Sequence, residues 1–82
     1  MMRETVTFVF TGQFNPETFA EFARHRAARL SLEADLSDLR PDRMRVTVSG
    51  QPDLVDAFEM ACSLGPIDCL VADIARYAGG AS

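Results

Sequence analysis

Apolar and polar residues alternate from Thr5 to Phe10, with Val6, Phe8 and Phe10 on one face and Thr5, Thr7 and Val9 on the other. A period of two predicts a half-buried strand. The period then changes. Phe19, Phe22, Ala23, Ala27 and Leu30 recur at helical spacing and form one apolar stripe. Asn15-Pro16-Glu17 predicts the start of that helix: a capping side chain, a proline at the first helical position and a carboxylate near the positive end of the dipole. Leu32, Ala34 and Leu36 alternate with Glu33, Asp35 and Ser37 in a second strand. Pro41-Asp42 marks a turn. Met44, Val46 and Val48 alternate with Arg43, Arg45 and Thr47 in a third strand. Gly50-Gln51-Pro52-Asp53 opens a second helix, whose buried stripe is Leu54, Val55, Phe58, Ala61 and Cys62. Gly65-Pro66 stops it. Ile67 to Ala75 predicts the last strand, with a frayed tail over about 76–82.

The order strand, helix, strand, strand, helix, strand predicts an α+β ferredoxin-like sandwich, βαββαβ. Two helices pack on one face of a four-stranded, mostly antiparallel sheet when the crossovers are right-handed. One sheet face and the two helical stripes supply the core. The other face carries Thr5, Thr7, Arg43, Arg45, Glu33 and Asp35, a solvated pattern. The second and fourth strands become the edges, and Glu33 and Asp35 discourage edge-to-edge pairing on one of them.

The chain has 82 residues, which predicts one domain over 1–82, near the low end of what a hydrophobic core stabilises alone. All its basic residues are arginine, and the net charge is −4. That charge argues against a generic nucleic-acid or anionic-membrane surface. The open face of the central strands lacks the aromatic residues an RNA-binding sheet uses. No apolar run approaches the ~20 residues of a membrane span. The first residues lack the apolar core of a signal peptide, so a cytoplasmic protein is expected. Cys62 and Cys69 have no metal-ligand spacing and fall on apolar positions. Buried reduced thiols are expected, with no metal and no cofactor.

Gly12 to Ala20 reads Gly-Gln-Phe-Asn-Pro-Glu-Thr-Phe-Ala and joins the first strand to the first helix, where small α/β domains often hold a phosphate. From Gly12 to Gly50, and on to about Ile74, the chain resembles the acylphosphatases. Gly12 and Phe19 match the first glycine and the phenylalanine of that family's Gly-Arg-Val-Gln-Gly-Val-Gly-Phe-Arg loop. Leu30-Ser31-Leu32 stands at its Leu-Gly-Leu helix exit, and Gly50 closes the third strand. The resemblance implies the acylphosphatase-like sandwich. It also implies a site in which the loop's backbone donors and final arginine hold a phosphoryl group, while an asparagine ending the second strand positions water.

This chain departs from that pattern at the positions that carry the chemistry. Ala20 stands at the arginine's place and Asp38 at the asparagine's. Pro16 and Thr18 replace the loop's later glycines, and Glu17 lies between them. Gln13, Phe14 and Asn15 fill the remaining loop positions. Ala20 removes a bidentate cation, Pro16 removes an amide donor, and Glu17 places negative charge beside an incoming anion. Arg24, one turn beyond Ala20, is long enough to bend back as a substitute cation. By the family geometry Asp38 and Glu17 could face each other. Phe14 is expected either exposed as an anchor for a partner or packed under the loop. Arg26 falls within the apolar stripe, where its stem packs and its head snorkels to water. Arg40, Arg43 and Arg45 cluster near the turn as a solvated face or a patch for an acidic partner.

The expected function is therefore that of a non-catalytic acylphosphatase-like domain acting through a protein partner, or through self-association at an edge strand. The alternative is a divergent acylphosphatase that hydrolyses carboxyl-phosphate bonds.

Overall fold

The computed structural model describes residues 3–66 and 68–78. The elements run β1 (Glu4–Gln13), α1 (Pro16–Arg29), β2 (Glu33–Leu39), β3 (Arg43–Gly50), α2 (Pro52–Leu64) and β4 (Leu70–Ala78). The strands form one sheet in the order β2-β3-β1-β4, antiparallel at every pairing. This is the predicted βαββαβ sandwich, with β2 and β4 at the edges.

The alternation of β1 and β3 sorts their side chains as the sequence requires. Val6, Phe8 and Phe10 lie opposite Val48, Val46 and Met44, and all six are buried. Thr5 and Thr7 lie opposite Ser49 and Thr47 on the other face, where their hydroxyls hydrogen-bond in pairs at 2.8 and 2.9 Å. Phe19, Ala23 and Ala27 of α1, with Val55, Phe58 and Cys62 of α2, close the core from above. The rings form a chain: Phe58 meets Phe8, Phe8 meets Phe10, Phe10 meets Phe19, and Phe19 meets Phe14 edge-on at 5.0 Å. Each buried ring contributes roughly 1.5–3 kcal/mol by leaving water.

Helix α1 starts as predicted. Asn15 is extended (φ −90°, ψ 108°), and its side-chain oxygen accepts the Thr18 N–H at 3.3 Å. Its end is a Schellman motif. Ser31 takes a left-handed φ of 58°, its N–H donates to Ala28, and the Leu32 N–H donates to Ala27 at 2.8 Å. Ser31 thus occupies the place of the glycine in the Leu-Gly-Leu exit. Helix α2 stops at Gly65, φ 66°.

Three expectations shift. The second strand begins at Glu33 and ends at Leu39, because a bulge at Ser37 carries the pairing past it. The last strand spans Leu70–Ala78 rather than Ile67–Ala75, so Cys69 lies in the preceding loop; Ile67 is outside the described residues. Arg76, Tyr77 and Ala78 are not a frayed tail: they pair with Phe8, Thr7 and Val6. The rest of the predicted tail, 79–82, is outside the described residues.

Arg76 fixes that end of β4. Its side chain rises on the helix side with Ile74, and its guanidinium carbon lies 5.5 Å from the centre of the Phe8 ring. It bonds Asp56 and Glu59 of α2, both at 2.8 Å, and Glu4 of β1 at 3.1 Å. The hydrogen bond it donates to Asp56 leads the effects that raise its pKa; burial opposes it, and Glu59 adds to the rise.

Candidate functional site

The segment from Gly12 to Ala20 lies where β1 passes into α1, and the neighbouring strands take up part of its backbone donors. The Gly12 N–H donates to the Asp42 carbonyl at 3.2 Å, and the Phe14 N–H to the Pro41 carbonyl at 2.7 Å. Both acceptors belong to the β2–β3 turn. On the other side Gly12 and Gln13 pair with Val71 and Leu70 of β4. A bulge at Ala72 brings the β4 backbone so close that a Cβ on Gly12 would collide with the Leu70 carbonyl oxygen. Glycine here serves strand contact. Within the helix start, Thr18 and Phe19 donate to the side chain and carbonyl of Asn15. Pro16 has no N–H.

Phe14 is buried beneath α1 against Phe19, so it is not an exposed anchor. The alternation ends at Phe10, and no residue pattern carries the ladder three residues further, to Gln13, where the strand stops.

Ala20, at the position where the resemblance places an arginine, is only 3 % exposed. It forms part of the wall of an open concavity of about 720 Å³ between α1 and the end of β2. Glu17, Glu21, Arg24, His25 and Leu39 line the same space. Arg24 therefore shares a concavity with Ala20 and Glu17, as its helical position predicts. Among the described residues no ion pair or hydrogen bond holds its guanidinium.

Asp38 lies apart from Glu17, against expectation. The bulge at Ser37 turns it to the open sheet face, directly opposite Arg45. Its Oδ1 accepts from Arg40 Nε at 2.9 Å and its Oδ2 from Arg43 Nη2 at 3.1 Å. Desolvation pushes the Asp38 carboxyl up, but the hydrogen bonds and charges of Arg40 and Arg43 together outweigh it and hold the group below its ordinary value. The carboxylate is ionised and paired at neutral pH. Its negative charge is therefore balanced locally.

Arg26 packs its guanidinium 5.5 Å over the Phe22 ring, the arrangement expected for a snorkelling side chain. Burial pushes the Cys62 thiol up to about 12, against the opposing charge of Arg26. Cys69 is half-buried beside the loop, and burial comes first among the effects that raise its pKa. Its Sγ lies 4.0 Å from the Asn15 carbonyl oxygen. Both cysteines are free. Among the described residues no group of three His, Cys, Asp or Glu side chains converges on a metal position. No described helix is long and apolar enough to cross a membrane.

This framework is that of the acylphosphatases. An acylphosphatase from Bacillus subtilis superposes with a TM-score of 0.85 at 17 % identity, covering 99 % of this chain and 89 % of that one. An acylphosphatase from Coxiella burnetii gives 0.86 at 16 % identity, covering 98 % and 84 %. Full-length HypF, solved in a phosphate- and nucleotide-bound form, gives 0.84 at 14 % identity; the match covers 98 % of this chain but 11 % of that one. No family model matches the sequence, and no curated protein matches it. At these identities the likeness extends to the fold and its connections. The chemistry must be argued from this chain's own residues.

Proposed function

We propose that this chain is a non-catalytic acylphosphatase-like domain that works by binding. The observation that supports this reading most directly is the fate of the loop's amides. Those of Gly12 and Phe14 are committed to carbonyls of the β2–β3 turn, and those of Thr18 and Phe19 to Asn15. Position 16 has none. A phosphoryl group needs preorganised donors and a cation, and Ala20 supplies no cation. Loss of one such donor commonly costs on the order of 10²–10³ in rate, and several are missing together. The two free cysteines fit a reducing, cytoplasmic setting.

Hydrolysis of benzoyl phosphate tests the reading. The expected result is no turnover above the uncatalysed rate and no rise in melting temperature with added phosphate. Turnover that disappears in Arg24→Ala would overturn it in favour of a divergent acylphosphatase. One observation favours that second reading: Arg24 lines the same concavity as Ala20. Self-association through an edge strand is the other form of binding. After its bulge, β4 offers the unbroken run from Asp73 to Ala78. Light scattering after size exclusion decides it, and a strict monomer at high concentration would exclude it.

A further inference from the structure

The helix layer leaves one apolar strip uncovered. Val55, Phe58 and Cys62 turn α2 toward the sheet, and Ala57, Met60 and Leu64 fall on its opposite side, at i, i+3 and i+7. Met60 is 72 % exposed and Leu64 81 %, more than any other large apolar residue among those described. They border an open groove of about 440 Å³ between the two helices, with Phe22, Ala61 and Gly65 in its wall. Arg26, over the Phe22 ring, is the one charged side chain lining it among the described residues.

This strip is both knob and hole. Leu64 and Met60 stand out from the surface, and the short side chains of Ala57 and Ala61 beside them leave hollows. A face that carries both matches a reversed copy of itself, which is the condition for a two-fold interface. What each helix shows outward selects the axis. The helices run antiparallel, since each returns along the strand before it and β1 is antiparallel to β3. An axis along the helices would lay α2 on the second copy's α1. Met60 and Leu64 would then cover the exposed Glu21 and His25 and strip them of water. An axis across the helices lays α2 on α2 and α1 on α1, each pair antiparallel. With the midpoint between Met60 and Ala61, Leu64 falls on Ala57 of the second copy and Met60 on its Ala61. Asp53 then lies past the end of that helix, and Asp56 and Glu59 stay with Arg76 on the far flank. On α1 the midpoint falls beside Phe22, which shares the groove. Glu17 and Glu21 occupy the first half of α1, Arg24 and Arg29 the second, and none of the four has an ion pair among the described residues. Reversal therefore brings Glu21 to Arg24 of the second copy, so opposite charges meet beside the apolar strip.

We propose that two copies of this chain dock through the α1–α2 face, about a two-fold axis across the helices, with Leu64 of each seated on Ala57 of the other. This contact does not depend on whether the loop site turns over an acyl phosphate, and it lies on a different surface from the β4 edge.

The test is a dilution series of the intact, ¹⁵N-labelled chain from about 1 mM downward, read by amide signals and by sedimentation equilibrium. The expected result is a monomer–dimer equilibrium in which the amides of residues 57–64 and 21–25 shift with concentration while those of 73–78 do not. Leu64→Glu leaves the core untouched. It should weaken the dimer roughly a hundredfold, about tenfold for each of the two leucine contacts. Glu21→Arg and Arg24→Glu should each weaken the dimer several-fold, and the two together should restore it. A strict monomer at the highest concentration would overturn the proposal. So would association that Leu64→Glu leaves unchanged, shifts confined to residues 73–78, or a double variant no stronger than its single parents.

Discussion

At the scale of single residues, two positions show how similar frameworks hold different chemistry. Ser31 keeps the left-handed backbone of a helix exit while carrying a side chain that disfavours it. Its side chain is exposed, and the Schellman bonds it supports are made by the backbone alone. Ser31→Gly should therefore relieve strain at no cost in contacts. Part of the gain is offset by the greater freedom of glycine in the unfolded chain. A net stabilisation of about 0.5–1 kcal/mol is expected, read as a higher urea midpoint with an unchanged slope. An unchanged or lowered midpoint would mean that the serine side chain stabilises this turn. Asp38 shows the opposite case. Its residue type suggested a second acid at the site, but its partners, Arg40 and Arg43, make it the centre of a neutralised clamp. A carboxylate's meaning lies in its neighbours, and a linear sequence does not show which neighbours a bulge will select.

At the scale of elements, the sandwich was legible because the signals were local. Alternation in β1 and β3, the Asn15-Pro16 helix start and the Gly65-Pro66 stop each act within a few residues, and each stands where expected. The edges were less legible. Strict alternation from Leu36 would send Asp38 inward, and the bulge at Ser37 reverses it. The bulge at Ala72 similarly lets Val71 and Ile74 both face the core, a spacing of three that hides the strand's period. For that reason Arg76 read as tail. Once β4 is followed to Ala78, its alternation with Ile74 places Arg76 on the helix side, over Phe8 and among three acids from β1 and α2. The half-exposed setting limits what each pair contributes, to a few tenths of a kcal/mol up to about 1. The stem's cover over Phe8 adds to this. Arg76→Met retains the cover and removes the charge. It should lower stability by about 1 kcal/mol at low salt, and the difference should shrink in 1 M sodium chloride. A loss independent of salt would assign the role to packing instead.

At the scale of the whole molecule, the site region is a junction of three parts. The segment after β1 is tied to the β2–β3 turn through Gly12 and Phe14, to β4 through Gly12 and Gln13, and to the core through Phe14. The sequence exposed the missing arginine and the proline at once, since those are residue identities. It could not show that the amides of Gly12 and Phe14 were already spent, because their acceptors, Asp42 and Pro41, lie nearly thirty residues away in sequence. This coupling sets the outcome of returning the cation alone. Ala20 borders the concavity, so an arginine there has space toward Glu17, Arg24 and Leu39. It would bring positive charge but no donor cradle, with Glu17 as its nearest reward. Ala20→Arg should hydrolyse benzoyl phosphate no more than about tenfold faster than the unaltered chain, because charge without the other donors recovers only a part of the lost stabilisation. Ala20→Arg with Pro16→Gly adds a backbone donor and freedom to turn, and it should exceed the single variant. Both are to be compared by initial rates after their amide spectra show the native fold. A gain of ~100-fold or more from Ala20→Arg alone would mean that the loop amides can still gather an anion, and the hydrogen bonds to Pro41 and Asp42 would then be easily exchanged ties.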